Sequence, residues 1–195
     1  MSEDESIRVA LLDTETTGLY PTTDRIIEIA VVLVEVERGS GSIRQILDRY
    51  EGLQDPGRPI PWEAVAVHGI TDAMVRGQRI DASCVRTLLS SADLLVAHNS
   101  GFDKGFVAQV MPEVREMRWA CSCRGIPWRS LYPQVPNARL QDLAAALGVA
   151  KGAAHRAMGD VDTTLNLLGL MHPSRPSTLL GHLIERKFPR VSKAV

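Results

Sequence analysis

Acidic residues inside apolar or glycine-rich segments are the feature that most constrains this chain. Four such carboxylates occur in three separate segments: Asp13, Glu15, Asp103 and Asp160. A carboxylate that folds into apolar surroundings is costly unless a positive group lies beside it. Mg²⁺ and Mn²⁺ meet this need because they prefer carboxylate oxygen and water as ligands. The pattern therefore predicts a fold that gathers these acids around a pair of divalent cations, which is typical of phosphodiester hydrolysis.

The order of the predicted elements favours an α/β protein with a mixed sheet. Residues 7–13, 26–36 and 42–50 are predicted to be successive strands, and 93–97 and 117–122 two shorter ones. Helices are predicted over residues 62–67, 82–89, 101–110, 140–147, 156–171 and 177–184. Strands followed by alternating helices and strands indicate helices layered on a single sheet.

Length and charge limit the classes of function. A chain of 195 residues fits one domain with a sizeable core. A formal net charge of −1 argues against a protein that grips long nucleic acid by charge alone. It allows an enzyme that holds only a chain end, since few phosphate contacts are then needed. The acidic N-terminus is unlike a signal peptide and no segment is long and apolar enough to span a bilayer, so we expect a cytoplasmic protein without a membrane partner.

Asp13 and Glu15 lie two residues apart at the end of a predicted strand. Side chains alternate between the faces of a strand, so both carboxylates point the same way while Thr14 points to the other face. This geometry lets the two acids reach one metal pair. The alternative is an ordinary acidic pair on an exposed strand end, because D-x-E alone is a weak signal.

Asn99 and Asp103 are four residues apart at the start of a predicted helix and share one face of it. The alternative is structural: Asn99 or Ser100 caps the helix, and the helix dipole favours Asp103 in the first turn. That alternative is weaker for Asp103, which lies between Phe102 and Gly105.

His155 precedes Asp160 by five residues, a spacing that splays two side chains on a helix. We therefore place His155 on the loop before the helix, where a histidine near a metal site suits a general base. The alternative is a plain surface residue. Of the other histidines, His68 is a candidate for substrate contact, and His98 is equally compatible with a structural role.

Taken together, the three segments resemble the signatures of the DEDDh exonuclease family: D-x-E at 13–15, N-x-x-F-D at 99–103 and H-x-A-x-x-D at 155–160. The resemblance extends to VHGIT at 67–71 and to the predicted helix LQDLAAAL, and it spans residues 7–171. The chain is most similar to the proofreading epsilon-subunit branch of bacterial DNA polymerase III.

The resemblance implies a ribonuclease H-like fold with a mixed five-stranded sheet flanked by helices. It implies an exonuclease domain over residues 1–171, with residues 172–195 forming a C-terminal helix and a basic tail that pack on it or extend from it. Family members remove mononucleotides from the 3′ end of DNA or RNA. Two Mg²⁺ or Mn²⁺ ions would be held by the four acids, Asp13, Glu15, Asp103 and Asp160.

Further residues acquire roles through the same resemblance. His155 would take the proton of the attacking water, and Glu15 would help to orient that water. The backbone of Thr14, Thr16, Thr17 and Gly18 would approach the terminal sugar. The side chains expected to contact the last nucleotides are Leu19, His68, Asn99 and Phe102. Core packing is the alternative for Leu19 and Phe102.

The expected partners are 3′ ends of single-stranded or frayed DNA, or of RNA, and a DNA polymerase subunit. A homodimer is left open, as is the choice between a free-standing enzyme and a proofreading subunit. Three rival functions are an exoribonuclease that trims RNA, a catalytically silent module that binds nucleic acid or docks on a polymerase, and a hydrolase of small phosphoesters. The intact acids and His155 argue against the silent module.

Overall fold

A computed structural model of the chain describes residues 5–189, and a five-stranded sheet forms its centre. The strands are β1 (Ser6–Thr16), β2 (Ile26–Glu37), β3 (Ile43–Leu53), β4 (Leu94–Ala97) and β5 (Trp119–Cys121). Their order across the sheet is β3-β2-β1-β4-β5. The first three strands are antiparallel neighbours, whereas β4 and β5 run parallel to β1. The predicted mixed sheet is therefore confirmed.

Helices cover both faces of this sheet. They are α1 (Trp62–His68), α2 (Asp72–Val75), α3 (Ala82–Ser90), α4 (Ser100–Val110), α5 (Ser122–Gly125), α6 (Trp128–Leu131), α7 (Leu140–Ala146), α8 (Ala157–Leu168) and α9 (Leu179–Lys187), with a 3-10 helix at Pro112–Arg115. Gly148, with a φ of 64°, follows the end of α7 in the left-handed conformation that favours glycine. This glycine closes α7, the helix predicted over residues 140–147.

Two predicted elements are shorter than expected. The strand predicted over residues 117–122 contains only Trp119–Cys121, because Ser122 already begins α5. The helix predicted to reach Met171 ends at Leu168, so the expectation that Met171 continues its apolar face was wrong. Met171 instead forms an isolated antiparallel β-bridge with Thr178, and its side chain is exposed.

Alternation along the strands divides the core into two layers. Val9 and Leu11 of β1 face the first layer, which is built with α7, α8 and α9. Ala10 and Leu12 face the second layer, which is built with α3 and α4. Because the pattern continues to the end of β1, each functional side chain there is assigned to one layer by its position in the strand.

The C-terminal helix α9 belongs to the first layer of the core. Leu180 and Leu183 are buried in that layer, and the backbone N–H of Thr178 donates to the carbonyl of Ser40 at 2.7 Å. A side chain on Gly41 would overlap the backbone of Gly181, so the β2–β3 turn and α9 approach closely at two glycines. Of the predicted basic tail, Arg186 and Lys187 lie in α9, whereas Arg190 and Lys193 are outside the described residues.

Among residues 5–189, no helix is long and apolar enough to cross a membrane.

Candidate active site

The end of β1 presents two acids to one layer of the fold and a threonine to the other. Asp13 and Glu15 continue the alternate positions of Val9 and Leu11, so they face the layer that contains α8. Thr14 faces the opposite layer, as predicted. Both carboxylates are partly buried, which brings them to the rim of the core without enclosing them.

Asp160 completes a cluster with these two acids. It lies in the first turn of α8, and its carboxylate oxygens are within 4.8 Å of ligand oxygens of Asp13 and Glu15. We call these three residues the carboxylate trio. Gln141 on α7 donates its Nε2–H to Oδ1 of Asp160 at 2.8 Å and so fixes the carboxylate against the neighbouring helix. The first and third sequence motifs therefore meet, as the metal-site prediction requires.

Asp103 reaches the same region from the other layer. It lies in the first turn of α4 and is buried, with 2% of its surface exposed. Its Oδ1 accepts a hydrogen bond from Oγ1 of Thr14 at 3.0 Å, because Thr14 points toward α4. Asp103 is not among the acids that lie within 4.8 Å of one another, but its charge acts on Asp13.

Burial makes these acids reluctant to ionise together. It raises the pKa of Asp13 well above its usual value, and the charges of Asp103 and Glu15 raise that pKa further. Burial, and next the charge of Asp160, raise the pKa of Glu15 to about 8. Burial also raises the pKa of Asp103 to about 7, although the hydrogen bond from Thr14 acts against this increase. A positive charge among these acids would relieve their mutual repulsion.

The donor atoms fit a hard divalent cation. The carboxylate trio and Asp103 offer only oxygen ligands, which suit Mg²⁺ and Mn²⁺ better than softer metals. The trio lies at the end of a strand and the start of a helix, two rigid elements that hold its oxygens close together. The trio can therefore offer its carboxylate oxygens to a divalent cation.

His155 lies on the loop before α8, as predicted, and its side chain is exposed. Its φ of 56° places the backbone in the left-handed region, which histidine adopts more readily than most residues other than glycine. Burial raises the pKa of Asp160, whereas the charge and backbone amide of His155 lower it. His155 is therefore close to the trio and open to solvent.

Two functional candidates near the trio were not found from the sequence. Glu28 on β2 is fully buried, and its carboxylate binds Arg156, the residue that precedes α8. The signal for Glu28 was present as one acid inside the apolar run IIEIAVVLV, a pattern that predicts a buried and partnered charge. Arg156 is the second residue of the H-x-A-x-x-D motif, at a position where the motif accepts any residue.

The segment after β1 forms a tightly bonded loop. Oγ1 of Thr16 donates to the carbonyl of Gly18 at 2.6 Å, and Oγ1 of Thr17 donates to Oδ1 of Asp24 at 3.2 Å. Arg58 donates to both Thr17 and Asp24, at 2.9 and 3.1 Å. This bonding holds the predicted sugar-binding backbone next to the trio.

Leu19 is at the tip of this loop and 73% of it is exposed. Core packing, the alternative considered for Leu19, is therefore wrong. Leu19 follows Glu15 by four residues, and an exposed apolar side chain there is available to contact a ligand.

The remaining predicted contact residues differ in their surroundings. His68, at the end of α1, is buried; its Nδ1 accepts from the backbone N–H of Ile70 at 3.0 Å, while its buried Nε2 has no hydrogen-bond partner within residues 5–189. Burial lowers the pKa of His68. Asn99 is exposed at the N-cap of α4, without a side-chain capping bond. Phe102 is partly buried, with its ring centroid 4.8 Å from that of Phe106, so it contributes to the core.

His98 has the structural role considered for it. Its two ring nitrogens bond Oγ of Ser122 and the carbonyl of Ala138, each at 2.8 Å.

Comparisons with known proteins agree with this geometry. A model of the RNase T exonuclease family matches residues 10–168. The DNA polymerase III PolC-type protein of Listeria monocytogenes is 35% identical over 167 residues, which cover 84% of this chain and 11% of that protein. The DNA polymerase III subunit epsilon-like protein of Rhodobacter capsulatus is 41% identical over 107 residues, covering 53% of this chain and 14% of that protein. The chain thus spans only a small part of these relatives.

Solved structures show the same fold. A structure of exonuclease I superposes with a TM-score of 0.70 at 18% identity, covering 94% of this chain and 42% of that one. Exonuclease X, in complex with 5′ overhanging duplex DNA, superposes with a TM-score of 0.58 at 26% identity, covering 91% of this chain and 89% of that one. These matches confirm the predicted ribonuclease H-like fold. Because the family model also covers all three motifs, the resemblance to the DEDDh exonucleases is confirmed and the chain belongs to the RNase T exonuclease family.

Proposed function

We propose that this chain is a metal-dependent 3′–5′ exonuclease that releases nucleoside monophosphates from single-stranded or frayed 3′ ends of DNA. The observation that carries the proposal is the carboxylate trio, whose oxygens lie within 4.8 Å of one another beside buried Asp103. Acids held this close have raised pKa values, because burial and their mutual repulsion disfavour the ionised form. Cations bound among them would stabilise the ionised carboxylates, which supports a metal-dependent active site.

In this proposal, Asp13, Glu15, Asp103 and Asp160 hold two Mg²⁺ or Mn²⁺ ions. Bound divalent cations supply stabilisation of negative charge on the attacking and departing oxygens. Thr14 orients Asp103 and Gln141 orients Asp160 through the hydrogen bonds described above, so the ligands are aligned before cations bind.

Hydrolysis adds one water molecule across the terminal phosphodiester. A bond forms between the water oxygen and phosphorus, and the bond from phosphorus to the departing 3′ oxygen breaks. His155, exposed and next to Asp160, takes the proton of the attacking water, and the departing oxygen is protonated as the new 3′ hydroxyl. The products are a nucleoside 5′-monophosphate and a strand shortened by one nucleotide.

The loop after β1 supports recognition of a chain end. The backbone from Thr14 to Gly18 lies beside the trio and is held by Thr17, Asp24 and Arg58. Exposed Leu19 extends from it toward the position of the last bases. His68, Asn99 and Phe102 complete the proposed contact set.

DNA is the proposed substrate because relatives with matching sequence are DNA polymerase III proteins and a structural neighbour binds a DNA duplex with an overhang. The same relatives support a DNA polymerase subunit as a partner. RNA remains the alternative substrate, since none of the carboxylates distinguishes the two sugars.

The test uses 5′-labelled single-stranded DNA and RNA oligonucleotides of one sequence, with Mg²⁺, Mn²⁺ or EDTA. We expect a ladder that shortens from the 3′ end, needs a divalent cation, and is faster on DNA. Asp13→Ala should abolish it, whereas Asp48→Ala, which removes an exposed acid on β3, should not. A block on the 3′ hydroxyl should slow cleavage far more than a block on the 5′ end.

Each alternative has a distinct outcome in this experiment. Faster cleavage of RNA would identify an exoribonuclease, and binding without cleavage would identify a silent module. If the protein cleaves no oligonucleotide but does cleave small phosphoesters in a parallel assay, it is a hydrolase of small phosphoesters. Equal sensitivity to blocks at the two ends would contradict the proposed polarity.

A further inference from the structure

Glu28 is a buried carboxylate next to the active site that lies outside the carboxylate trio. It is fully buried on β2, a strand whose neighbouring residues Ile27 and Ile29 are also buried. A charge in such surroundings is retained only if donors satisfy it, because removal from water is costly. The donors that satisfy Glu28 therefore indicate what it does.

Among residues 5–189, the donors to the Glu28 carboxylate all come from the start of α8. The Nε of Arg156 lies 3.0 Å from Oε1 and 3.1 Å from Oε2, and Nη2 of the same guanidinium also donates to Oε1. The backbone N–H of Ala157, the first residue of α8, donates to Oε2 at 2.8 Å. One carboxylate on the sheet thus binds both the residue before the helix and the first N–H of the helix.

We call the bonds from Arg156 and Ala157 to Glu28 the anchor. The anchor is adjacent to the acids of the site. Glu28 is paired directly with Glu15 across β1 and β2, so the two side chains lie on the same face of the sheet. The charge of Glu28 is among the causes that raise the pKa of Glu15, which confirms their proximity. With its oxygens committed to Arg156 and Ala157, Glu28 is not available as a cation ligand.

The anchor also acts on the residues that follow and precede Arg156. The backbone N–H of Asp160 donates to the carbonyl of Arg156 at 2.9 Å, so the first helical turn links the two residues. His155 is joined directly to Arg156 by a peptide bond. A shift of Arg156 would therefore displace a trio acid and the proposed base together.

We propose that Glu28 is a positioning residue, which acts through Arg156 to hold His155 and Asp160 in their places relative to the sheet. This inference rests on the proposed exonuclease function, since His155 and Asp160 act in that reaction. Glu28 touches neither substrate nor cation in it. It connects β2, the strand paired with the one that carries Asp13 and Glu15, to α8, the helix that carries Asp160.

Two variants test the anchor from its two sides. Glu28→Gln is nearly isosteric, but replaces one acceptor oxygen with an NH₂ group that cannot bond the guanidinium. Arg156→Gln removes the guanidinium from a half-exposed position. The matched control is Arg175→Gln, which removes the exposed ion pair between Arg175 and Glu185 at 2.7 Å, outside α8.

The first measurement is steady-state cleavage of single-stranded DNA at saturating Mg²⁺. In Glu28→Gln and Arg156→Gln we expect kcat to fall about 10–100-fold, as is usual when a residue that orients an active-site group is removed. KM should stay within about twofold of the wild-type value, because substrate contacts are not altered. Arg175→Gln should match the wild type in both constants.

The second measurement is amide hydrogen exchange of the three variants without metal, which does not depend on activity. We expect faster exchange in residues 155–161 of both anchor variants, and wild-type exchange there in Arg175→Gln. A lower kcat with unchanged exchange would overturn the positioning role, because Glu28 would then act by its charge alone.

The outcomes separate this inference from the proposed function. If the wild type cleaves DNA and both anchor variants keep its kcat, the positioning role is refuted while the exonuclease stands. If the wild type cleaves no oligonucleotide, the proposed function fails. Unchanged exchange in residues 155–161 of the anchor variants would then refute the anchor as well.

Discussion

Gln141 and Asp160 come from different helices and meet at 2.8 Å, where the amide Nε2–H of Gln141 donates to Oδ1 of the carboxylate. A carboxylate with one oxygen held in this way has a fixed orientation beside the other two acids of the trio. The glutamine lies in α7, a helix that contributes no acid to the trio. This relationship gives α7 a part in the active site.

Replacement of Gln141 by alanine should therefore reduce activity. We expect kcat of Gln141→Ala to fall about 10–100-fold, because the Asp160 carboxylate loses the donor that orients it. The measurement is cleavage of labelled DNA over a Mg²⁺ titration. Gln45→Ala is the control, since Gln45 donates to Glu35 on the exposed surface of the sheet. Wild-type activity in Gln141→Ala would show that Asp160 needs no such support.

His155→Ala should lower the rate of hydrolysis by about 10²–10⁴, the usual contribution of a general base. Cation binding should persist, since the trio and Asp103 are intact. Cleavage rates at neutral pH and Mn²⁺ binding by calorimetry measure the two effects separately. Lys151→Ala, in the same exposed segment, is the control. An unchanged rate at neutral pH would argue against His155 as the base.

The metal-free protein should lose stability as pH rises. The pKa of Glu15 is raised from 4.5 to about 8 in the folded chain. Between these values the folded state holds a proton that the unfolded chain has released, so the free energy of unfolding falls with increasing pH. We expect the Tm in EDTA to decrease from pH 5 to pH 8. In Mg²⁺ this decrease should be much smaller.

Glu15→Gln should flatten this dependence, because a neutral side chain carries no proton to lose. Glu63→Gln, at an exposed position on α1, should leave the slope as in the wild type. Thermal unfolding followed by circular dichroism at several pH values measures all three proteins. Identical slopes in the wild type and Glu15→Gln would contradict the raised pKa of Glu15.

Two helical glycines should respond in opposite ways to substitution by alanine. A Cβ on Gly159 would overlap the backbone of Ala153, in the loop that leads to His155, whereas a Cβ on Gly101 meets only open space. We expect Gly159→Ala to destabilise the fold by about 1–3 kcal/mol through overpacking. Gly101→Ala should stabilise it by about 0.5–1 kcal/mol.

Urea unfolding in EDTA measures both free energies of unfolding. The cleavage assay should also show a lower kcat for Gly159→Ala, because the loop at Ala153 that the new Cβ would displace leads to His155. Equal stability of the two variants would indicate that the loop at Ala153 moves away at little cost.

Most of the secondary structure followed from local patterns in the sequence. Apolar runs predicted four of the strands, the Gly-Ser-Gly turn before it predicted β3, and Gly148 marked the end of α7, because periodicity and turn chemistry act over a few residues. Strand alternation also predicted that Asp13 and Glu15 share one face while Thr14 points to the other. The end of α8 was misplaced at Met171, since apolar spacing continued after the backbone had turned toward Thr178.

The sequence by itself determined the identities of the acids and their order in the chain, because strand and helix periodicity are local properties. Only the tertiary structure decided how those acids are arranged. Asp103 approaches from the layer opposite the trio, and Glu28 binds Arg156 across 128 residues of sequence. Contacts of this kind depend on sheet register and on the packing of helices against it, and a single sequence records neither.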